Sequence, residues 1–398
     1  MWPYLTVAVL ILLLFTFAQP GKRNWLISTI LLTILILFVG LRFELGYDWL
    51  GYERLYLFSD GRISLTNYEF SQRVLTVEPL FYLLNQICKF LGLPFEIFLF
   101  IISAFNLVII HYVCNKISPG SQAFVWLFYF CLLILISQFN LIRQSIASSF
   151  VLLSLACLAQ DRKWPAAFWF LISLGFQISV LMFAPVFILY KFFVGRKTVI
   201  SMLIVSFGIF LSGIFVGGVL IGTVGSVLPS FLGDKADNYV ESFASGGLSG
   251  VSPLSMILVV AYGFYLKILM PRNTDAYTNI AILLTIMIII AHLALSQFPS
   301  LWNRIMCVSL PWQLAALWRS NYFFEPLRHH LTATRKIAAV SAGVIAVCVM
   351  GYQLSRPESL PFVPYHSVVQ VWLFEEKGDG RARAIYTINE AHRAQASR

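Results

Sequence analysis

The chain has 398 residues, 59% of them hydrophobic and 12% charged, with 28 Lys and Arg against 18 Asp and Glu for a formal charge of +10. With a mean hydropathy of +0.80, this composition excludes a soluble enzyme of two or three domains. The basic surplus lies in short loops between apolar runs, where the positive-inside rule accounts for it better than nucleic acid does.

The apolar runs are about 20 residues long, matching a hydrocarbon core roughly 30 Å thick. Stretches such as NWLISTILLTILILFVGL are apolar on every face, whereas a membrane β-barrel alternates apolar and polar residues over about ten positions. The first run lacks a basic n-region and a small-x-small cleavage site, so it reads as a retained helix rather than a signal peptide. In chain order the predicted spans are Trp2 to Ala18, Asn24 to Leu41, Pro94 to Val113, Gln122 to Ile136, Asn140 to Ala159, Val199 to Gly222, Val251 to Met270, Tyr277 to Gln297, Leu301 to Trp318 and Ile337 to Leu354. Two segments are ambiguous. Pro79 to Leu91 is too short and polar for a comfortable span, and Trp164 to Tyr190, with GFQIS at its middle, is either one long helix or a re-entrant pair. The predicted class is an all-α polytopic integral membrane protein with about ten transmembrane helices plus two short or re-entrant segments.

Charge decides between the alternatives. If both ambiguous segments return to the side they started from and the N-terminus is outside, the inner loops collect 14 basic residues, from Lys22 and Arg23 to Arg335 and Lys336. They carry only Asp161, Asp275 and Glu325 as acids. The outer loops together with the outer ends of the spans, before Ser355, then hold 8 basic and 10 acidic residues, the asymmetry the rule demands. Residues 1–376 form one transmembrane domain on this reading, with outer loops at 42–78 and 223–250 and both termini outside. Residues 377–398 read as a polar, disordered tail, and no internal repeat is visible. Cys88, Cys114, Cys131, Cys157, Cys307 and Cys348 lie in or beside apolar runs without metal-like spacing, which favours neither a disulfide framework nor a zinc site.

The segment LRFELGYDWLGYERLY directly follows the second span and carries Arg42, Glu44, Asp48, Glu53 and Arg54 within 13 residues. Charges this close to hydrocarbon cost free energy unless they meet partners or a ligand. Either Arg42 and Arg54 hold an anionic phosphate while Asp48 takes a proton from a sugar hydroxyl, or Tyr47, Trp49 and Tyr52 make this an interfacial belt. Arg143, with Asn140 and Gln144 beside it, sits about one turn inside the outer end of a span. Arg304, beside Asn303, repeats the arrangement. Each either snorkels to the interface or converges with Arg42 on a polyanionic ligand, since guanidinium groups match phosphate oxygens in bidentate fashion. Weaker signals come from Gln177 and Ser179, which line a cavity or bond between helices, and from His292, more often a packing histidine than a catalyst. His366 in PFVPYHS either reaches the outer site or belongs to an interfacial loop, and Glu78 before Pro79 reads as a helix cap.

These residues resemble the EpsG/Wzy-type exopolysaccharide and O-antigen repeat-unit polymerases of bacterial inner membranes. GLRFELGYDWLGYERLY is similar to that family's early R-x-x-x-G-x-D-[YW]-x-x-Y element, followed by EPLFYLLNQICKFLG. NLIRQSIASSFVLLSLACLAQDRKWPAAFWFLISLGFQISVLMF resembles its N-x-[IL]-R-Q-x-[IL]-A element with the helical pair behind it, and LWNRI and PFVPY are compatible with its C-terminal end. Many members carry a His in the helical pair; here Gln177 stands there, so it takes no proton-transfer role.

The resemblance implies an enzyme of the multi-pass inner membrane that joins undecaprenyl-diphosphate-linked oligosaccharides on the periplasmic side, with no nucleotide sugar, cofactor or metal. It assigns Arg42, Arg143 and Arg304 to the diphosphate, Asp48 to the base with Glu44 as runner-up, and Arg54, Gln144, Asn303 and His292 to further substrate contacts. A chain-length regulator and a flippase of the same pathway are the implied protein partners, beside the bilayer itself. The rivals are a lipid-linked oligosaccharide flippase, which needs polar residues along the whole path and usually shows repeats, an integral-membrane acyltransferase, which more often shows a His base, and a glycan ligase with the same donor chemistry.

Overall fold

The computed structural model describes residues 1–17, 25–64, 68, 77–191, 201, 204, 260–267, 275–293, 299–319, 329–375 and 378–396. The expected span Val199 to Gly222, the outer loop at 223–250, most of Val251 to Met270, the turn bearing Lys22 and Arg23, and most of 65–76 lie outside the described residues.

Every regular element among the described residues is helical; a single β-bridge joins Arg42 to Ser367. In order they are α1 (Trp2–Phe17), α2 (Trp25–Gly40), α3 (Trp49–Phe58), α4 (Pro79–Phe90), α5 (Phe95–Ile117), α6 (Gln122–Leu132), a π-helix (Leu135–Asn140), α7 (Ile142–Ala159), α8 (Lys163–Phe176), a 3-10 helix (Ile178–Phe183), α9 (Ala184–Leu189), α10 (Ala276–Leu293), α11 (Pro299–Arg319), α12 (His329–Ser355), a second 3-10 helix (Pro357–Phe362), α13 (Val368–Phe374) and α14 (Gly380–Ala396). Residues 260–267 are also helical.

Among the described residues, α5, α7 and α10 have the length and hydropathy to cross a bilayer on their own. The first, second, fourth and last expected spans correspond to shorter apolar helices, Trp2–Phe17, Trp25–Gly40, Gln122–Leu132 and Ala339–Ser355. The fourth is shortened because regular α-helix ends at Leu133 (φ −130°) and the chain continues as the π-helix. The ambiguous segment 164–190 is not one long helix: α8 ends where Gln177 turns extended (φ −159°, ψ 115°).

The chain divides into two compact units, Met1–Ala184 with Leu310–Arg398, and Pro185–Ser309. At the centre of the first stands α7, whose Ser145, Ala147, Ser148 and Ser149 are buried together with its apolar residues. Small residues let backbones approach where lipid removes the hydrophobic drive between helices. α5 and α8 flank it, and α2 packs on α5, while α1, α6 and α12 pack on one another. Polar side chains bridge this bundle. Buried Asn106 donates to Ser145 Oγ (2.8 Å) and accepts from Ser149 Oγ (3.1 Å), and Gln138 Nε2 donates to Tyr129 Oη (2.8 Å).

Two short helices, α3 and α4, pack on each other. α4 is amphipathic, burying Phe81, Tyr82, Asn85, Gln86 and Cys88 while Ile87 and Phe90 stay exposed. Its 12 residues, about 18 Å of helix, are too few to cross a hydrocarbon core of roughly 30 Å. Tyr52 and Tyr56 of α3 meet Phe81, Phe95 and Phe98 in one aromatic cluster.

The C-terminal segment corrects an expectation. Instead of a disordered tail, residues Gly380–Ala396 form α14, which packs on the second 3-10 helix. Charges in its first turn have partners: Arg381 Nη2 meets Glu53 Oε2 at 2.6 Å, Arg383 Nε meets Asp379 Oδ1 at 2.8 Å, and Arg383 Nη1 donates to Leu360 O at 3.0 Å. Ala384 is fully buried. Polar composition signals disorder only when the charges have nothing but water to meet.

Candidate functional site

The loop between α2 and α3 is held from two distant parts of the sequence. On one side Phe43 N donates to His366 O (2.9 Å), Val368 N to Leu41 O (2.8 Å) and Gly46 N to Pro361 O (3.1 Å). Tyr365 stacks on Phe38 at 4.5 Å and donates from its hydroxyl to Phe38 O (2.7 Å). The PFVPYHS segment is therefore the clamp of the early charged element. On the other side Tyr47 N donates to Asn140 Oδ1 (2.6 Å). Gly46 has φ +106°, and a Cβ there would lie 2.7 Å from both Asn140 Oδ1 and Phe139 O; no other residue type fits.

The clamp aims the residues of the early element in two directions. Arg42 points inward. It is 2% exposed, its Nη1 donates to Val39 O (2.8 Å) and Ser103 Oγ (2.7 Å), and its guanidinium lies 5.3 Å from the Phe139 ring centroid. With Glu44, Glu53 and Glu96 it borders a gap of only about 40 Å³. Glu44, in left-handed conformation (φ +50°), accepts from the Arg381 backbone N–H at 3.2 Å. Gly378 and Gly380 press against it so closely that a Cβ on Gly380 would lie 2.0 Å from Glu44 O. Burial raises the Glu53 carboxyl above its ordinary range, while the Arg381 guanidinium pulls it down and Glu44 adds to the rise.

Asp48, at the N-cap of α3, and Arg54, one face further along, turn outward. With Tyr47, Leu50, Gly51, Tyr52 and Arg143 they line a cavity of about 510 Å³, whose remaining wall is Ile385 and Asn389 of α14. Arg143 is the second residue of α7, where the positive end of the helix dipole disfavours a cation. It is held there by Glu78, whose Oε2 accepts from Nη1 at 2.8 Å, and it lies 5.9 Å from the Tyr52 ring centroid. Glu78 Oε1 also accepts from Ile178 N at 3.4 Å, just beyond the break at Gln177.

Of the sequence-predicted residues, Asp48, Arg54 and Arg143 are brought together. Arg42 and Glu44 are not at this cavity, because the clamp turns the first into the bundle and the second against the tail. Gln144 is buried between helices, accepting from Ser179 Oγ (2.7 Å) and donating to Ser148 Oγ (3.3 Å). His366 lies beside Asp379 (3.3 Å) rather than in the cavity. Arg304, Asn303 and His292 belong to the second unit, where the buried His292 ring meets Trp302 at 5.5 Å, and Asn303 O accepts from Cys307 Sγ. Two contributions escaped the sequence reading. Glu78 looked like a helix cap, and a Glu directly before an amphipathic helix carries no sign of a distant arginine. Ile385 and Asn389 lay in the stretch read as disordered, although RARAIYTINEA has helix-forming composition.

The EpsG family model matches residues 25–367, most of the chain and all of the cavity except its α14 wall. The chain belongs to the EpsG family. No curated protein and no solved structure matches it. Membership in the EpsG family, together with the apolar helices, places the protein in the membrane and in polysaccharide biosynthesis.

Proposed function

We propose that this EpsG-family protein is a polymerase that joins undecaprenyl-diphosphate-linked oligosaccharide repeat units on the periplasmic side of the bacterial inner membrane. The observation that carries this reading is one cavity in which a carboxylate, Asp48, stands with two arginines, Arg54 and Arg143. Glycosyl transfer from a lipid diphosphate needs a base for the acceptor hydroxyl and cations for the leaving group. Asp48 takes the hydroxyl proton as the acceptor oxygen bonds to the anomeric carbon. The bond from that carbon to the diphosphate breaks, and Arg143 and Arg54 stabilise the charge that grows on the departing oxygens. Glu78 fixes the Arg143 guanidinium in position through Nη1, and the N-terminal turn of α7 adds to the positive field there. Arg42 and Glu44 then act as the frame that aims Asp48. The topology that goes with the reading has both termini and the loop at 42–78 on the periplasmic side, consistent with α14 docking on α3.

Replacing Asp48 by Asn tests the proposal, since the side chain keeps its shape and loses proton acceptance. The expected result is that single repeat units on the lipid carrier accumulate in the outer leaflet, within reach of an added periplasmic glycosidase. Units protected on the cytoplasmic side would replace the polymerase reading with transport. Polymer at wild-type yield would remove Asp48 as the base.

A further inference from the structure

The cavity has walls of two origins. Asp48, Arg54, Arg143, Tyr47 and Tyr52 fall within residues 25–367, the part matched by the family model, whereas Ile385 and Asn389 lie beyond it on α14. The reacting groups thus all fall inside the matched stretch, and the opposite wall falls outside it. That wall is held firmly where it meets α3: Arg381 bonds Glu53 and covers the Trp49 ring at 5.7 Å, and Gly378 and Gly380 admit no side chain against Glu44. Its cavity-facing residues carry no charge. Asn389 is exposed, and its amide bonds nothing in the chain among the described residues.

An uncharged amide and an aliphatic side chain facing Tyr47 and Tyr52 make a poor phosphate site and a suitable sugar site. Tyrosine rings and an isoleucine cover the apolar C–H face of a pyranose, and an amide offers both donor and acceptor to its hydroxyls. We infer that α14 is the sugar-selecting wall of the cavity, with Asn389 hydrogen-bonding the non-reducing sugar of the incoming repeat unit and Ile385 packing against its ring. The inference rests on the polymerase reading and adds to it a division of labour: Asp48, Arg54 and Arg143 perform the transfer, and α14 chooses the acceptor.

The experiment uses membranes holding the full chain, with lipid-linked repeat units extracted from a strain deleted for this chain. An amide bonded to a sugar hydroxyl and removed as Asn389→Ala is expected to raise KM for that unit about tenfold, the equivalent of one net hydrogen bond, while kcat stays within about twofold. Asn389→Gln should restore much of the affinity. Because Asn389 is exposed and Ala is the better helix former, the substitution leaves folding intact. An unchanged KM, or a fall in kcat at constant KM, overturns the sugar-selecting role. The two readings fail separately: wild-type polymerisation abolished by Asp48→Asn, with Asn389→Ala unaffected, keeps the polymerase and discards the wall. No polymer from the wild-type chain discards both.

Discussion

Arg42 and Arg143 look alike in the sequence, each within a few residues of the end of an apolar run and each beside residues able to bond it, yet their surroundings in the fold are opposite. Arg42 meets a backbone carbonyl, a serine and a phenylalanine face, beside a gap of about 40 Å³. Arg143 meets a carboxylate and a tyrosine face at the edge of about 510 Å³ of open space. An arginine at a membrane boundary must have its charge met. Whether it serves as a post or as a ligand depends on whether what meets it leaves room for anything else.

The largest expected effect separates the two arginines. Arg42→Ala strands Ser103 and the Val39 carbonyl and opens a hole in the bundle, at about 1 to 3 kcal/mol for each buried acceptor left unsatisfied, with the cavity adding to it. Thermal unfolding of the detergent-solubilised protein should show that loss, with little folded protein recovered from membranes. A variant as stable as wild type would mean that Arg42 is not a post.

The comparison is sharpened by Arg143→Lys, in which a point charge replaces a planar fork. Loss of one preorganised donor should raise the transition-state barrier by about 2 to 4 kcal/mol, read as a fall in polymer formed per unit time, while unfolding temperature changes far less than for Arg42→Ala. Normal polymer from a normally expressed strain would place Arg143 with Arg42 as a structural charge paired to Glu78.

The smallest effect belongs to the clasp of the tail. Arg381 and Glu53 are partly exposed, and exposed ion pairs contribute about 0 to 1 kcal/mol, so Arg381→Ala should hardly move global unfolding. It should instead increase proteolytic cleavage within α14, the helix that this pair ties to α3. Cleavage at the wild-type rate would show that the glycine contacts with Glu44 suffice to dock the helix.

Much of the architecture was legible because it depends on local composition. Runs of apolar residues on every face require helices in lipid, since backbone groups have no other partner there, and the crowding of Arg42 to Arg54 at a boundary marked that stretch as one whose charges need partners or a ligand. Asp48, Arg54 and Arg143 were singled out from charge and position, and the fold gathers them at one cavity. The places where reading failed are those where the partner is far away in the chain. Nothing near Arg143 announces Glu78, 65 residues earlier, and nothing near Glu53 announces Arg381, 328 residues later.

By itself, then, the sequence determined that the protein is an all-α membrane chain, which residues are too costly to leave unpartnered, and, through its ordered motifs, its kinship with the EpsG family. Only the tertiary structure decided which of those residues face open space. The choice is made by the clamp of PFVPYHS on the loop after α2, where a bridge from Arg42 to Ser367 and an αL glycine at Gly46 turn Arg42 inward and Asp48 outward. It also decided that a polar C-terminus is a helix and a wall. Pairing between residues hundreds of positions apart depends on the packing of whole helices, and hydropathy and charge density, being sums over neighbours in the chain, carry no information about it.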